Sequence, residues 1–320
     1  MQAYCHVESY YVGLYRYVLF LVGSSQYTLY LIKNLRFFAT FAIAKKRNEM
    51  QYKANCKINI GLRVVRKRGD GYHDLQTVMF PVMGLYDIID IERTAGSGAE
   101  FVGRGIVVDC KAEDNLCVRA YDLMRSRYDI VGVRITLDKR IPFGAGLGGG
   151  SADATAVLIG INDLFGLRVG HDEMIELAAQ LGSDTAFFVR NTPQYCTGRG
   201  EIMEPVELQL GGYWLAVAKP DEGVSTREAY SGVEPHEASS DLRCDLRLPV
   251  DRWCDVVVND FEPHVMEAHP RIAALKRLMY DSGALYASMS GSGSAVFGIF
   301  ADRPDLTVPD STFVHCERVG

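Results

Sequence analysis

Apolar and polar residues alternate strictly from Lys57 onward: Ile58, Ile60, Leu62 and Val64 fall on one face, and Lys57, Asn59 and Arg63 on the other. Period-two alternation predicts a β-strand. It runs into "RGDGYHDLQT", where Gly69-Asp70-Gly71 is turn chemistry, and then into apolar and β-branched residues through Ile91, so the N-terminal part is β-rich. Residues 114–124 have the spacing of a helix capped by Asp114 or Asn115, and residues 131–137 alternate as another strand. An Ala-rich helix is expected over 151–165, beginning at Ser151. A further helix is expected with Met174, Leu177, Ala178 and Leu181 on one face and Gly182 as its stop. Beyond residue 205, strand-like "YWLAVAKP", helix-like "HPRIAALKRLMY" and a strand after "SGSGS" predict a second α+β unit. Residues 231–250 read as a polar loop, and no internal repeat is evident.

The first 49 residues do not share this patterning. They hold eleven of the 31 Phe and Tyr residues, and six Lys/Arg against two Asp/Glu leave them at +4 while the remainder carries −10. Arg16, Lys33 and Arg36 interrupt the apolar runs, so no clean stretch of about 18 apolar residues forms. A membrane-associating extension, a targeting piece and translation upstream of a start at Met50 all fit. The last is favoured because Met50 immediately precedes the first patterned strand.

An overall charge of −6 on 320 residues gives no electrostatic footprint for nucleic acid. Eight Cys without a C-x-x-C pair or zinc spacing point to reduced thiols in a cytosol-like compartment, with neither a disulfide framework nor a structural metal.

The densest chemical signal is "PFGAGLGGGSADA" at 142–154. It contains G-x-G-x-x-G, but no strand ending in an acidic residue follows some 20 positions on, so the dinucleotide-binding context is missing. No G-x-x-x-x-G-K-[ST] exists either. Clustered glycines that open a helix let backbone N–H groups approach an anion, aided by the partial positive charge of the helix terminus. A plain turn is the competing reading. Lys57 and Asn59 share one strand face, and Asp184 sits after a helix stop and before apolar "TAFFV", at an element boundary where catalytic groups and ordinary caps both occur. "MSGSGSAVF" at 289–297 is a second Gly/Ser loop feeding a strand.

In order, "KANCKINIGL", "RGDGYHDLQT", "PFGAGLGGGSADA", "LGSDTAFFV" and "SGSGSAVF" over residues 53–298 resemble the GHMP small-molecule kinase superfamily. "R-x-D-G-Y-H" and "GLGGGSADA" favour the branch whose acceptor is a cytidine-diphosphate-linked methylerythritol. Thr155, where a second Ala is usual, and Phe143 are minor departures, and residues 1–49 match nothing in the superfamily.

The resemblance implies an α+β fold of two domains. Residues 50–205 would form a ribosomal-protein-S5-domain-2-like, ATP-binding domain and 206–320 a ferredoxin-like domain, with 1–49 an atypical extension. It implies Lys57 and Asp184 as the catalytic pair. Pro142, Gly144, Ala145, Gly146, Leu147, Gly148, Gly149, Gly150, Ser151 and Asn115 would bind ATP, and Asn59, Tyr72, His73, Thr226 and Tyr230 the acceptor. The cofactors would be ATP and Mg²⁺, with few protein ligands to the metal. The partner would be a small molecule, not nucleic acid and, for 50–320, not membrane; the expected setting is cytoplasmic, as monomer or homodimer. A GHMP kinase for another alcohol and a nucleotide-binding regulator remain rivals, the second disfavoured by the presence of both Lys57 and Asp184. A membrane-anchored interaction protein built around 1–49 is a third.

Overall fold

The alternating stretch forms the middle of β1 (Glu49–Lys67) in the computed structural model, which describes residues 49–107, 110–236 and 240–320. The readings of residues 1–48 lie outside the described residues. Both faces of β1 are buried: Ile58 and Ile60 join one apolar cluster, Leu62 and Val64 another, and Lys57, Asn59 and Arg63 are enclosed as well. The polar face of β1 is therefore an interior face, and interior polar groups need partners. Arg63 finds Asp245 at 2.6 Å and the carbonyls of Ser240 and Val256, which ties the polar stretch before residue 250 to the strand.

β1 pairs with β2 (His73–Arg93), and the first sheet continues with β3 (Ala99–Gly105), β4 (Val133–Lys139), β5 (Gln194–Thr197) and β6 (Ile202–Pro205), in the order β3-β4-β2-β5-β6. β3 and β4 are parallel, and β2 runs antiparallel to β4 and β5. Helices α1 (Leu116–Arg127), α2 (Gly149–Phe165), α3 (His171–Ala179) and α4 (Thr185–Arg190) follow in the same half. Tyr121, Met124, Val157, Ile161 and Phe187 from these helices pack with Ile89, Ile91 and Ile135 of the sheet.

The second sheet contains β7 (Trp214–Lys219), β8 (Tyr286–Met289), β9 (Val296–Phe300) and β10 (Phe313–Arg318). Its order, β10-β7-β9-β8, with every neighbour antiparallel, is the fourth-first-third-second arrangement of a ferredoxin-like sheet. Helices α5 (Thr226–Ser231), α6 (Leu242–Asp245), α7 (Glu262–Ala268) and α8 (Pro270–Asp281) accompany it, with Ile272, Leu275 and Met279 of α8 packed against Ala216 and Val296. Met50–Gly320 forms one compact unit. Among the described residues, no helix is long and apolar enough to cross a membrane.

Several boundaries differ from the sequence expectation. α1 starts at Leu116 because Asn115, not Asp114, accepts the Cys117 N–H. α2 starts at Gly149, two residues before Ser151. Gly148, left-handed at φ 69°, is its N-cap, and its carbonyl accepts the Ala152 N–H. Glycine propensity argues against a helix there, but the position leaves no room for a side chain: a Cβ on Gly149 would lie 2.9 Å from Lys139 Nζ. α3 ends at Ala179 rather than at Gly182, whose carbonyl instead accepts the Thr185 N–H in the turn into α4.

Lys139, at the end of β4, is buried between Asp87 of β2 (2.5 Å) and Asp153 of α2 (2.7 Å). Asp87 also accepts the backbone N–H groups of Arg140 and Ile141, whereas Asp153 Oδ1 has no partner. One ammonium cannot neutralise two buried carboxylates. Burial pushes the Asp153 carboxyl up to about 8, with Lys139 opposing the shift and Asp87 adding to it. Asp87→Asn leaves the ammonium without its best-bonded acceptor and is expected to cost about 3–5 kcal/mol in urea unfolding. Asp153→Asn is expected to cost under about 1 kcal/mol at neutral pH, because an amide resembles the neutral acid. The folded state holds this proton more tightly than the unfolded chain, where the pKa is about 3.9. Its stabilisation is therefore complete below about pH 4 and lost as pH rises toward about 8. Unfolding titrations across that window should show this decline in the parent and not in Asp153→Asn.

Candidate active site

The loop "GAGLG" has a two-sided construction. Ala145 and Leu147 are buried in the cluster that joins the two sheets, alongside Ile58, Val217 and Phe297. Gly144, Gly146 and Gly148, at φ 61°, 72° and 69°, line a cleft of about 860 Å³. Alternate pegs thus fix the loop while its glycines present backbone to the cleft. No side chain would fit at Gly146, where a Cβ would run into the Ser290 carbonyl, and one at Gly148 would press on Lys57 at 3.1 Å.

Lys57 crosses beneath this loop. Its Nζ donates to Asn59 Oδ1 (2.5 Å) and Gly146 O (2.9 Å), and it pairs with Asp184 Oδ2 at 3.2 Å. An ammonium has three N–H bonds, and these are three acceptors. Asp184 occupies the N-cap position of α4, yet its side chain makes no capping bond, so the carboxylate faces Lys57 and the cleft. The second glycine loop closes the same wall: Ser290 Oγ accepts the Asn59 N–H (3.1 Å) and donates to Gly146 O (2.9 Å), while Gly291, Ser292 and Gly293 line the cleft.

The other end of the cleft is aromatic. His73 stacks on Tyr230 with centroids 4.8 Å apart and planes at 21°, and Phe261 meets Tyr230 edge-on. Burial, then the nearby Asp184 charge, pushes the Tyr230 hydroxyl up to about 12. Tyr72 is exposed, with the Arg199 guanidinium 4.8 Å over its ring. Thr226 opens α5, whose start is capped by Ser225. His269 holds α5 through Glu228 at 2.8 Å and also faces Glu222 at 3.6 Å; the hydrogen bond that Glu228 accepts raises its pKa.

Lys57, Asn59, Asp184, Tyr72, His73, Thr226, Tyr230, Gly144, Gly146 and Gly148 therefore share one cleft. Pro142, Ala145, Leu147, Gly149, Gly150, Ser151 and Asn115 are not among its walls. Ala145 and Leu147 can offer a ligand only backbone. Asn115 is buried with its Oδ1 spent on capping α1, beside the first turn of α2, where a Cβ on Gly150 would lie 3.6 Å from Leu116. Asn59 is less free than expected, because its Nδ2 donates to Thr77 and its Oδ1 faces Lys57. Sequence reasoning missed Arg199, Arg227 and Thr77 in the cleft lining. Thr77 closes the quoted "RGDGYHDLQT", so position in a motif was an available signal. Arg199 sits in the turn between β5 and β6, which only strand pairing brings to Tyr72. Among the described residues, no group of three or more His, Cys, Asp and Glu could hold a metal ion.

Residues 115–192 match the GHMP kinases N terminal domain and residues 251–307 the GHMP kinases C terminal. The chain is 47% identical over 264 residues to the 4-diphosphocytidyl-2-C-methyl-D-erythritol kinase of Parabacteroides distasonis, covering 82% of this chain and 95% of that protein. It is 43% identical to the enzyme of the same name from Bacteroides fragilis strain YCH46, covering 82% and 96%. A crystal structure of 4-(cytidine 5'-diphospho)-2C-methyl-D-erythritol kinase superposes with a TM-score of 0.67 at 33% identity, covering 78% of this chain and 90% of that one. Homoserine kinase from Cytophaga hutchinsonii shares the fold, with a TM-score of 0.62 at 16% identity over 85% and 95% of the two chains. With a buried lysine paired to a carboxylate under a glycine loop, and both halves matched, the chain belongs to the 4-diphosphocytidyl-2-C-methyl-D-erythritol kinases of the GHMP kinase superfamily.

Proposed function

We propose that this cleft transfers the γ-phosphoryl group of ATP to the 2-hydroxyl of 4-diphosphocytidyl-2-C-methyl-D-erythritol, giving the 2-phosphate, in the cytoplasmic methylerythritol phosphate route to isoprenoid precursors. The observation that carries the reading is the Lys57–Asp184 pair at 3.2 Å, set between a glycine loop at one end of the cleft and the His73–Tyr230 stack at the other. Residues 50–205 supply the nucleotide side and 206–320 much of the acceptor side.

Phosphoryl transfer asks little covalent work of a protein: it needs an in-line hydroxyl and compensation for spreading charge. Asp184, not committed to capping, accepts the proton of the acceptor hydroxyl. Lys57 holds that carboxylate in an ion pair at 3.2 Å and, from beneath the loop, lends positive charge to the transferring group. Gly144, Gly146 and Gly148 admit the phosphates to backbone contact, and the first turn of α2 (Gly149, Gly150, Ser151) contributes its dipole. Magnesium would be held mainly on phosphate oxygens, neutralising the nucleotide's charge, since the described residues offer no acidic cage. Tyr72 offers an exposed ring for base stacking, His73 a polar edge, and Arg199 and Arg227 the cations near the acceptor's diphosphate.

Phosphorus NMR of the full chain with ATP, Mg²⁺ and the cytidylyl acceptor is expected to show a new phosphomonoester signal, absent with homoserine or mevalonate. Transfer only to a control alcohol would reassign the acceptor. Asp184→Asn is expected to lower kcat by roughly 10²–10⁴-fold with KM for ATP little changed; near-normal turnover removes Asp184 from the role of base. Gly146→Ala forces a side chain into a left-handed conformation that costs about 1–2 kcal/mol and against the Ser290 carbonyl. Its kcat/KM for ATP is expected to fall at least about tenfold, measured beside the melting temperature.

A further inference from the structure

Thr77 lies on β2 opposite Cys196 of β5, four residues after His73, and is buried. Its hydroxyl has a single proton and two lone pairs. The Gly61 carbonyl, 2.5 Å away, can only accept, so the proton points there. What Thr77 presents to Asn59 Nδ2, 3.1 Å away, is therefore a lone pair.

This settles which way the Asn59 amide faces. Its NH₂ is directed at Thr77 and its carbonyl oxygen at Lys57 Nζ, 2.5 Å away. The flipped amide would set N–H groups against an ammonium and a carbonyl oxygen against a hydroxyl oxygen whose proton is already spent. Both contacts would be repulsive, in a place where water cannot replace them. Lys57 in turn has two neutral acceptors, Asn59 Oδ1 and Gly146 O. With two corners of a tetrahedral ammonium fixed, the third N–H has one direction left, and it is toward Asp184.

We propose that Thr77 is a positioning residue for phosphoryl transfer: by fixing the orientation of the Asn59 amide it aims the Lys57 ammonium at Asp184. The proposal rests on the reading of Lys57 and Asp184 as the reacting pair. Thr77 touches neither, and both its donor and the lone pair that faces Asn59 are committed within the protein.

The test is steady-state kinetics of full-length Thr77→Val, Thr77→Ser, Asn59→Ala and the Thr77→Val/Asn59→Ala double variant, each with its melting temperature. Thr77→Val keeps the shape and removes the hydroxyl. It is expected to lower kcat by about 10–100-fold with KM for ATP and for the acceptor within about twofold, as for an interaction expressed in the transition state. Thr77→Ser, which keeps the hydroxyl, is expected to stay within about threefold of the parent. In the Asn59→Ala background, Thr77→Val is expected to have no further effect on kcat. Unchanged kcat in Thr77→Val, a Thr77→Ser variant as slow as Thr77→Val, or losses that multiply in the double variant would each overturn the proposal. Thr77→Ala replaces Thr77→Val in the same comparisons if the latter does not fold. Full turnover in Asp184→Asn instead strikes the reading of the reacting pair, so the two failures are distinguishable.

Discussion

A buried ammonium must be supplied with acceptors, and the way Lys57 is supplied organises the cleft. Its three partners come from three different parts of the chain: Asn59 from its own strand, Gly146 from the loop before α2, and Asp184 from the head of α4. An uncompensated charge at this depth would cost several kcal/mol. The strand, the loop and the helix are therefore held in register by one nitrogen.

The second constraint is the close approach of two glycine loops. Gly146 accepts from both Lys57 Nζ and Ser290 Oγ, and Ala145 accepts the Ala295 N–H, so the loop before α2 is stitched to the segment before β9. Such contact tolerates no side chain at Gly146, and Gly291 is nearly as restricted, with Asn59 Oδ1 3.2 Å from where a Cβ would stand. Ala145 and Leu147 carry the apolar half of the same junction. The flexibility that glycines bring to a free loop is removed here by pegs on one side and hydrogen bonds on the other, which leaves a preorganised surface of backbone.

What the sequence conveyed and what it withheld divide along physical lines. Local periodicity located β1, α1, α2, α8 and β9, because a strand or helix face repeats at a fixed spacing. It misplaced the start of α2, since glycine propensity argues against a helix at Gly149, and the lack of room for a side chain beside Lys139 and Ile141 is a tertiary constraint that local pattern does not carry. Motif order singled out Lys57, Asp184 and the glycine loop, which meet at one cleft, but could not show that Asn59 faces Lys57 and Thr77 rather than open cleft, or that Asn115 spends its oxygen on a helix cap. The His73–Tyr230 stack joins residues 157 positions apart, one at the head of β2 and the other in α5, and no local pattern encodes such a pairing.

Two buried lysines flank the glycine loop, and the difference between their partners separates structure from chemistry. Lys139 is enclosed by Asp87, which balances its charge, and by Asp153, whose carboxyl pKa burial pushes up, and it is not among the walls of the cleft. Lys57 has one carboxylate and two neutral oxygens, and that carboxylate is partly exposed in the cleft. In the proposed transfer Asp184 takes up a proton from the acceptor, and the positive charge of Lys57 is then no longer balanced. It then lies beneath the loop where negative charge spreads over the transferring phosphoryl group. On the proposed reading, the neutral Asn59 beside Lys57, held in its acceptor orientation, is what lets the Lys57–Asp184 ion pair serve the transfer.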